Sequence, residues 1–166
     1  QYLVMKIAIF GQFYHKNSGP YVKQIVDTLR SKEVTIVVEE KFLSLLKAEE
    51  STRQAVDGLS TFTNLDASYD LFFSIGGDGT ILKSVTFVCD LNIPIVGINT
   101  GRLGFLATIQ KEKIKESINE ILDGNYSLSE RSLLTIETKP NNEEIKELNF
   151  ALNEVAVNRK NTTSMI

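Results

Sequence analysis

Apolar positions run along this chain in blocks that alternate between a strand rhythm and a helix rhythm. Tyr2 to Phe10 is continuously apolar except for Lys6, the pattern of a strand buried on both faces of a parallel sheet, and it stops at Gly11. Gln12 to Pro20 carries Asn, Ser, Gly and Pro and reads as a loop at the carboxyl end of that strand. Pro20 suits a first helical turn, and Val22, Ile25, Val26 and Leu29 mark one apolar helix face. Val34 to Val38 is β-branched and predicts a second strand. Phe42, Leu43, Leu45 and Leu46 predict a helix, with Glu39, Glu40, Glu49 and Glu50 as solubilising charges. Ser51 to Tyr69 has weak periodicity and a break at Gly58, so it is expected to be irregular or partly helical.

The next block is the most regular. Leu71 to Ile75 is a strand that stops at Gly76-Gly77-Asp78-Gly79-Thr80, and helical spacing restarts near Gly79 with Ile81, Leu82, Val85 and Val88 as a core stripe and Cys89 as a small buried neighbour. Pro94 to Ile98 is a further strand, delivering a second glycine-rich corner, Asn99-Thr100-Gly101-Arg102-Leu103-Gly104-Phe105-Leu106. Ile109 to Leu122 predicts a helix through Ile114, Ile118, Ile121 and Leu122, stopped by Gly124 and Asn125. Strand and helix alternating in this way predict an α/β class, a Rossmann-like open parallel sheet with helices on both faces, over residues 5–125. Residues 126–166 change texture. Leu128 to Thr138 and Phe150 to Val157 are strand-like around Pro140-Asn141-Asn142, as in the first strands of an incomplete β-rich second domain. The chain is expected to be truncated there, and Gln1 to Val4 to lie upstream of a first strand opened by Met5.

Composition narrows the ligand. With 42% apolar and 23% charged residues, the 166-residue chain falls among ordinary globular proteins, and a net charge of -3 disfavours a general nucleic-acid or acidic-membrane surface. One Cys and one His make no zinc set and no internal disulfide, so no metal ligands are assigned; a reducing, cytoplasmic setting is expected. No apolar stretch reaches membrane-spanning length. His15, alone in a loop, receives no role.

Three glycines in Gly76-Gly77-Asp78-Gly79 let a ligand approach bare backbone, and the helix that follows offers unpaired N–H groups and a positive dipole end, which suits phosphate. Asp78 is out of place beside a polyphosphate unless it meets a cation or takes a proton from a hydroxyl. The plainer alternative is a strand-to-helix connection in which Asp78 caps the helix. The loop fits neither the Walker A pattern nor the G-x-G-x-x-G fingerprint.

Taken with Leu152-Asn153-Glu154-Val155, placed at the opening of a strand, the two glycine-rich corners resemble the NAD kinases, over most of the chain. The resemblance implies transfer of a terminal phosphoryl group from ATP or polyphosphate to the adenosine ribose 2′-hydroxyl of NAD, giving NADP. It implies Asp78 as general base, donor phosphates at Gly76, Gly77, Gly79 and Thr80, Mg²⁺ or another divalent cation as counter-ion, Phe105 beside the adenosine, and Asn153 and Glu154 on ribose hydroxyls. Each has a plainer alternative: Phe105 as core, Asn153 as a turn residue, Glu154 as an exposed charge. Lys83, Arg102, Arg159 and Lys160 could neutralise phosphates and are left outside the assignment. The family also implies a homo-oligomer, dimer or tetramer, of the longer protein, and little activity in these residues alone. A lipid kinase of the diacylglycerol or sphingosine type shares the first motif but carries its Asn-Glu pair directly after it; a non-catalytic nucleotide-binding module is the third reading.

Overall fold

The computed structural model describes residues 4–12, 18–101 and 104–156. Contacts divide the chain into two units, Gln1–Leu128 and Ser129–Ile166.

The first unit is built on β1 (Met5–Gly11), where a run apolar on both sides of the pleat places Ile7, Ala8 and Ile9 entirely out of solvent. The chain then forms α1 (Gly19–Arg30), β2 (Val34–Glu39), α2 (Glu40–Ala48), a single turn α3 (Glu50–Arg53), β3 (Ser60–Phe62), β4 (Leu71–Gly76), α4 (Asp78–Val88), β5 (Ile95–Asn99), β6 (Ile109–Gln110) and α5 (Ile114–Leu122). The strands make one sheet in the order β3-β2-β1-β4-β5-β6, and every pair is parallel. This is the Rossmann order, and the fold class read from the residues holds.

The order reverses between β1 and β4, so the connections β1–β2 and β4–β5 step in opposite directions. Right-handed crossovers then place α1 and α4 on opposite faces. On the α4 face, the Phe87 ring meets Phe10 at 4.9 Å, Phe62 at 5.9 Å and Phe72 at 6.1 Å. The buried stripe of α1, Val22, Ile25, Val26 and Leu29, lies on the helix that packs with α5, whose Ile114 and Ile118 are wholly buried. The reversal also opens a crevice at the carboxyl ends of β1 and β4, where such sheets take their ligands. There the Gln12 N–H donates to the Ile75 carbonyl at 3.3 Å, joining the two strand ends.

Four expectations are corrected in this unit. The stretch from Ser51 to Tyr69 is partly helical through α3, as expected, but it also contains the unforeseen edge strand β3, whose Phe62 packs edge-on against Tyr69 and Phe72. Ile109 and Gln110 are not helical but pair with Ile98 and Asn99 as β6, and a 3₁₀ turn separates them from α5. Cys89 is exposed, because α4 ends with its N–H on the Val85 carbonyl and the backbone leaves the helix at φ 46°. Glu39 is no solubilising charge: it is only 7% exposed, and its Oε2 accepts the Phe42 N–H at 2.7 Å, capping α2.

In the second unit, β7 (Leu134–Thr135) pairs antiparallel with β8 (Phe150–Ala151), and α6 (Glu143–Glu147), capped by the Asn142 side chain, lies between them in sequence. Of the strands foreseen over 128–138 and 150–157, two residues each form strand among the described residues, and Val157 lies outside the described residues. Asn153 and Glu154 therefore follow a strand instead of opening one. Leu133, Leu134, Leu148 and Val155 are exposed, as in a two-stranded ribbon with no apolar face to cover. Among the described residues no helix is long and apolar enough to cross a membrane.

Candidate active site

The site forms where β4 turns into α4. Gly76 adopts φ 152°, and a side chain there would run into the Thr80 hydroxyl, so conformation and space both call for glycine. Gly77 and Gly79 differ. Neither lies in the positive-φ region, and a β-carbon on either would meet nothing within 4 Å. The fold itself would accept alanine at both, so the bare backbone there serves open space outside the chain. Gly77, at the N-cap of α4, supplies no side-chain cap.

Asp78, the first residue of α4, is half-buried, and its carboxylate is turned towards the second glycine-rich corner. Oδ2 accepts the Phe105 N–H at 2.7 Å, and Oδ1 accepts those of Leu106 at 2.9 Å and Ala107 at 3.2 Å. Consecutive main-chain amides aimed at one anion form a nest. Chiefly through the Phe105 bond, and against the opposing effect of burial, they hold the Asp78 pKa below the usual carboxylate value, so the group is ionised at neutral pH. It neither caps its own helix nor lies sealed in the core.

The remaining residues divide by exposure. The Phe105 side chain is 96% exposed although its N–H is engaged, which excludes the core alternative. Thr80 is fully buried, its hydroxyl 3.4 Å from Gln12 Oε1, so its side chain faces the fold and not the open edge. Asn99, buried at the end of β5 opposite Gly76, accepts the Gly101 N–H at 2.8 Å, and Thr100 lies 3.5 Å from the Ser18 hydroxyl. Gln12, Ser18 and Asn99 thus brace the two corners from below. Sequence reasoning set Gln12 and Ser18 in the first ligand-side loop and Asn99 in the second corner but gave none of them a role, because each is a common loop residue; Gln12 directly after β1 and Asn99 at the end of β5 carried the signal. Asn153 and Glu154 belong to the other unit, where both are exposed. Lys83 is exposed on α4; His15, Arg102, Arg159 and Lys160 lie outside the described residues. Among the described residues no three of His, Cys, Asp and Glu stand together as a metal cage.

Comparison with known proteins gives the same direction from independent evidence. The family described as ATP-NAD kinase N-terminal domain matches residues 7–126. The chain is similar to the NAD kinase of Christiangramia forsetii, 52% identical across 98% of this chain and 55% of that protein. It is similar also to that of Flavobacterium johnsoniae, 46% identical across 98% and 55%, and to that of Bacteroides fragilis, 37% identical across 98% and 54%. The chain therefore spans about half the length of the curated relatives it matches. A crystal structure of yeast NADH kinase complexed with NADH shares the fold, with a TM-score of 0.63 at 19% identity over 80% of this chain and 42% of that one. With the family match running from β1 through both glycine-rich corners to the end of α5, the chain belongs to the NAD kinase family.

Proposed function

We propose that the protein to which this chain belongs transfers the terminal phosphoryl group of ATP, or of polyphosphate, to the adenosine ribose 2′-hydroxyl of NAD, giving NADP. The observation that carries this reading is the Asp78 carboxylate, ionised, half-exposed and fixed between two glycine-rich corners at a helix start whose N-cap is glycine. A carboxylate offers about four lone-pair positions, and three N–H bonds occupy Asp78. One position is left for a substrate hydroxyl. The lowered pKa makes Asp78 a weak proton acceptor, so its work is to orient the hydroxyl and to receive its proton late, as a loose phosphoryl-transfer transition state allows.

Donor phosphates fit the amides at Gly77 and Gly79, where the helix dipole is positive and no side chain intervenes. Gly76 and Thr80 serve this loop through its shape, Gly76 by its positive φ and Thr80 by the buried hydroxyl beneath it. The exposed Phe105 ring suits the adenosine portion of NAD, and Asn153 and Glu154 the ribose hydroxyls. A divalent cation belongs to this reading only as counter-ion of the donor phosphates; the described residues give it no three-ligand cage, and no step is assigned to it. The division into a phosphate-loop domain over 5–125 and the start of a β-rich domain over 126–166 is part of the same proposal, as are a homo-oligomer and a cytoplasmic setting. The lipid-kinase alternative loses its support to the family match.

The test is the product. Full-length protein incubated with ATP, Mg²⁺ and NAD should yield a 2′-phosphomonoester of the adenosine ribose by phosphorus NMR; phosphate on another hydroxyl, or none, contradicts the assignment.

A further inference from the structure

Gly104 lies against the face of the Asp78 carboxyl group: a β-carbon there would fall inside contact distance of Cγ and both oxygens. Its backbone is outside the positive-φ region, so conformation alone does not demand glycine. The three atoms nearest that carbon all belong to one side chain, 26 residues earlier in the chain. Gly97, on β5, leaves space that is taken first by the Ile81 side chain of α4 and then by the Ala107 α-carbon, 3.0 Å from where its own side chain would be. One glycine admits α4 and the loop to the sheet, and the other admits the carboxylate to the loop.

We infer that Gly104 is a positioning residue for Asp78, its missing side chain being what allows the carboxylate to settle beneath the Phe105, Leu106 and Ala107 amides in the orientation used on the acceptor hydroxyl. The inference rests on the phosphoryl-transfer reading for its consequence but on geometry for its substance. Among the described residues, the loop meets Asp78 through main-chain N–H groups, and hydrogen bonds from those groups lower its pKa. Any displacement of the carboxylate from the nest is therefore felt directly in its titration.

The experiment compares Gly104→Ala, Asp78→Ala and the double variant in the full-length protein, by thermal unfolding and by the pH dependence of NADP formation. Gly104→Ala should lower the unfolding temperature and reduce kcat by ~10²-fold, the loss expected of a small misplacement of a reacting group. The KM for NAD should stay near wild type, and the acid limb of kcat should move to higher pH. In the Asp78→Ala background the same glycine substitution should cost no further unfolding temperature, because the group it collides with is gone. If Gly104→Ala does not fold alone, the double variant should fold as Asp78→Ala does. Equal destabilisation by Gly104→Ala in both backgrounds, or a wild-type kcat and acid limb in the single variant, overturns the inference. Wild-type kcat in Asp78→Ala would instead overturn the general-base reading while leaving the coupling of unfolding temperatures as its own result.

Discussion

The Asp78 carboxylate and the Phe105 main-chain N–H meet at 2.7 Å across 27 residues of chain, so two glycine-rich corners that look like separate turns are one device. The bond makes Asp78 a structural tie as well as a candidate base. Its folded pKa lies below the unfolded value, so the carboxylate contributes stability that is present at pH values above the unfolded pKa and is lost as pH falls through the folded one. Asp78→Asn is therefore expected to be less resistant to urea than the parent at pH 7, with the difference shrinking in strong acid. A difference independent of pH would show that charge plays no part.

Gly79→Ala should separate stability from binding. Gly79 is exposed in the first turn of α4 with open space around it, so alanine should raise stability by about 0.4–1 kcal/mol through a stiffer unfolded chain while raising the KM for ATP. Gly76→Ala should do the opposite for stability, because φ 152° and the Thr80 hydroxyl both resist a side chain. Denaturant unfolding and ATP titration of the two variants check the pair.

Phe105→Ala should leave unfolding within about 0.5 kcal/mol of the parent, as for surface substitutions in general, since the ring is 96% exposed. It should weaken NAD by ~1–3 kcal/mol, the range for losing one aromatic platform under a base. Calorimetric titration with NAD measures this, and an unchanged affinity would return Phe105 to an incidental surface residue.

The parts of the fold that were legible in the sequence are those whose burial is long enough to repeat. β1 and β4, six or seven residues long, are apolar on both sides apart from Lys6 and Ser74, and α1 has a full stripe, so their rhythms could be counted. β3 and β6 have three and two residues, too few for any period, and they exist because a neighbouring strand offers them a hydrogen-bonding edge. Glu39 was misread because a carboxylate after a strand looks solvated until the helix start it caps is known. For the proposed site, residue types and spacing marked out the glycine-rich turn and singled out Asp78. The nest could not be foreseen, since Gly104 looks like an ordinary turn glycine and only tertiary contact shows a carboxylate occupying its missing side chain.

The most direct measurement is the single-turnover rate of NADP formation by the full-length protein and its Asp78→Asn variant, with ATP and NAD saturating. Loss of a positioned proton acceptor should slow the chemical step by ~10²- to 10⁴-fold while NAD affinity stays close to wild type. A variant that forms NADP at the parental rate would contradict the account at its centre.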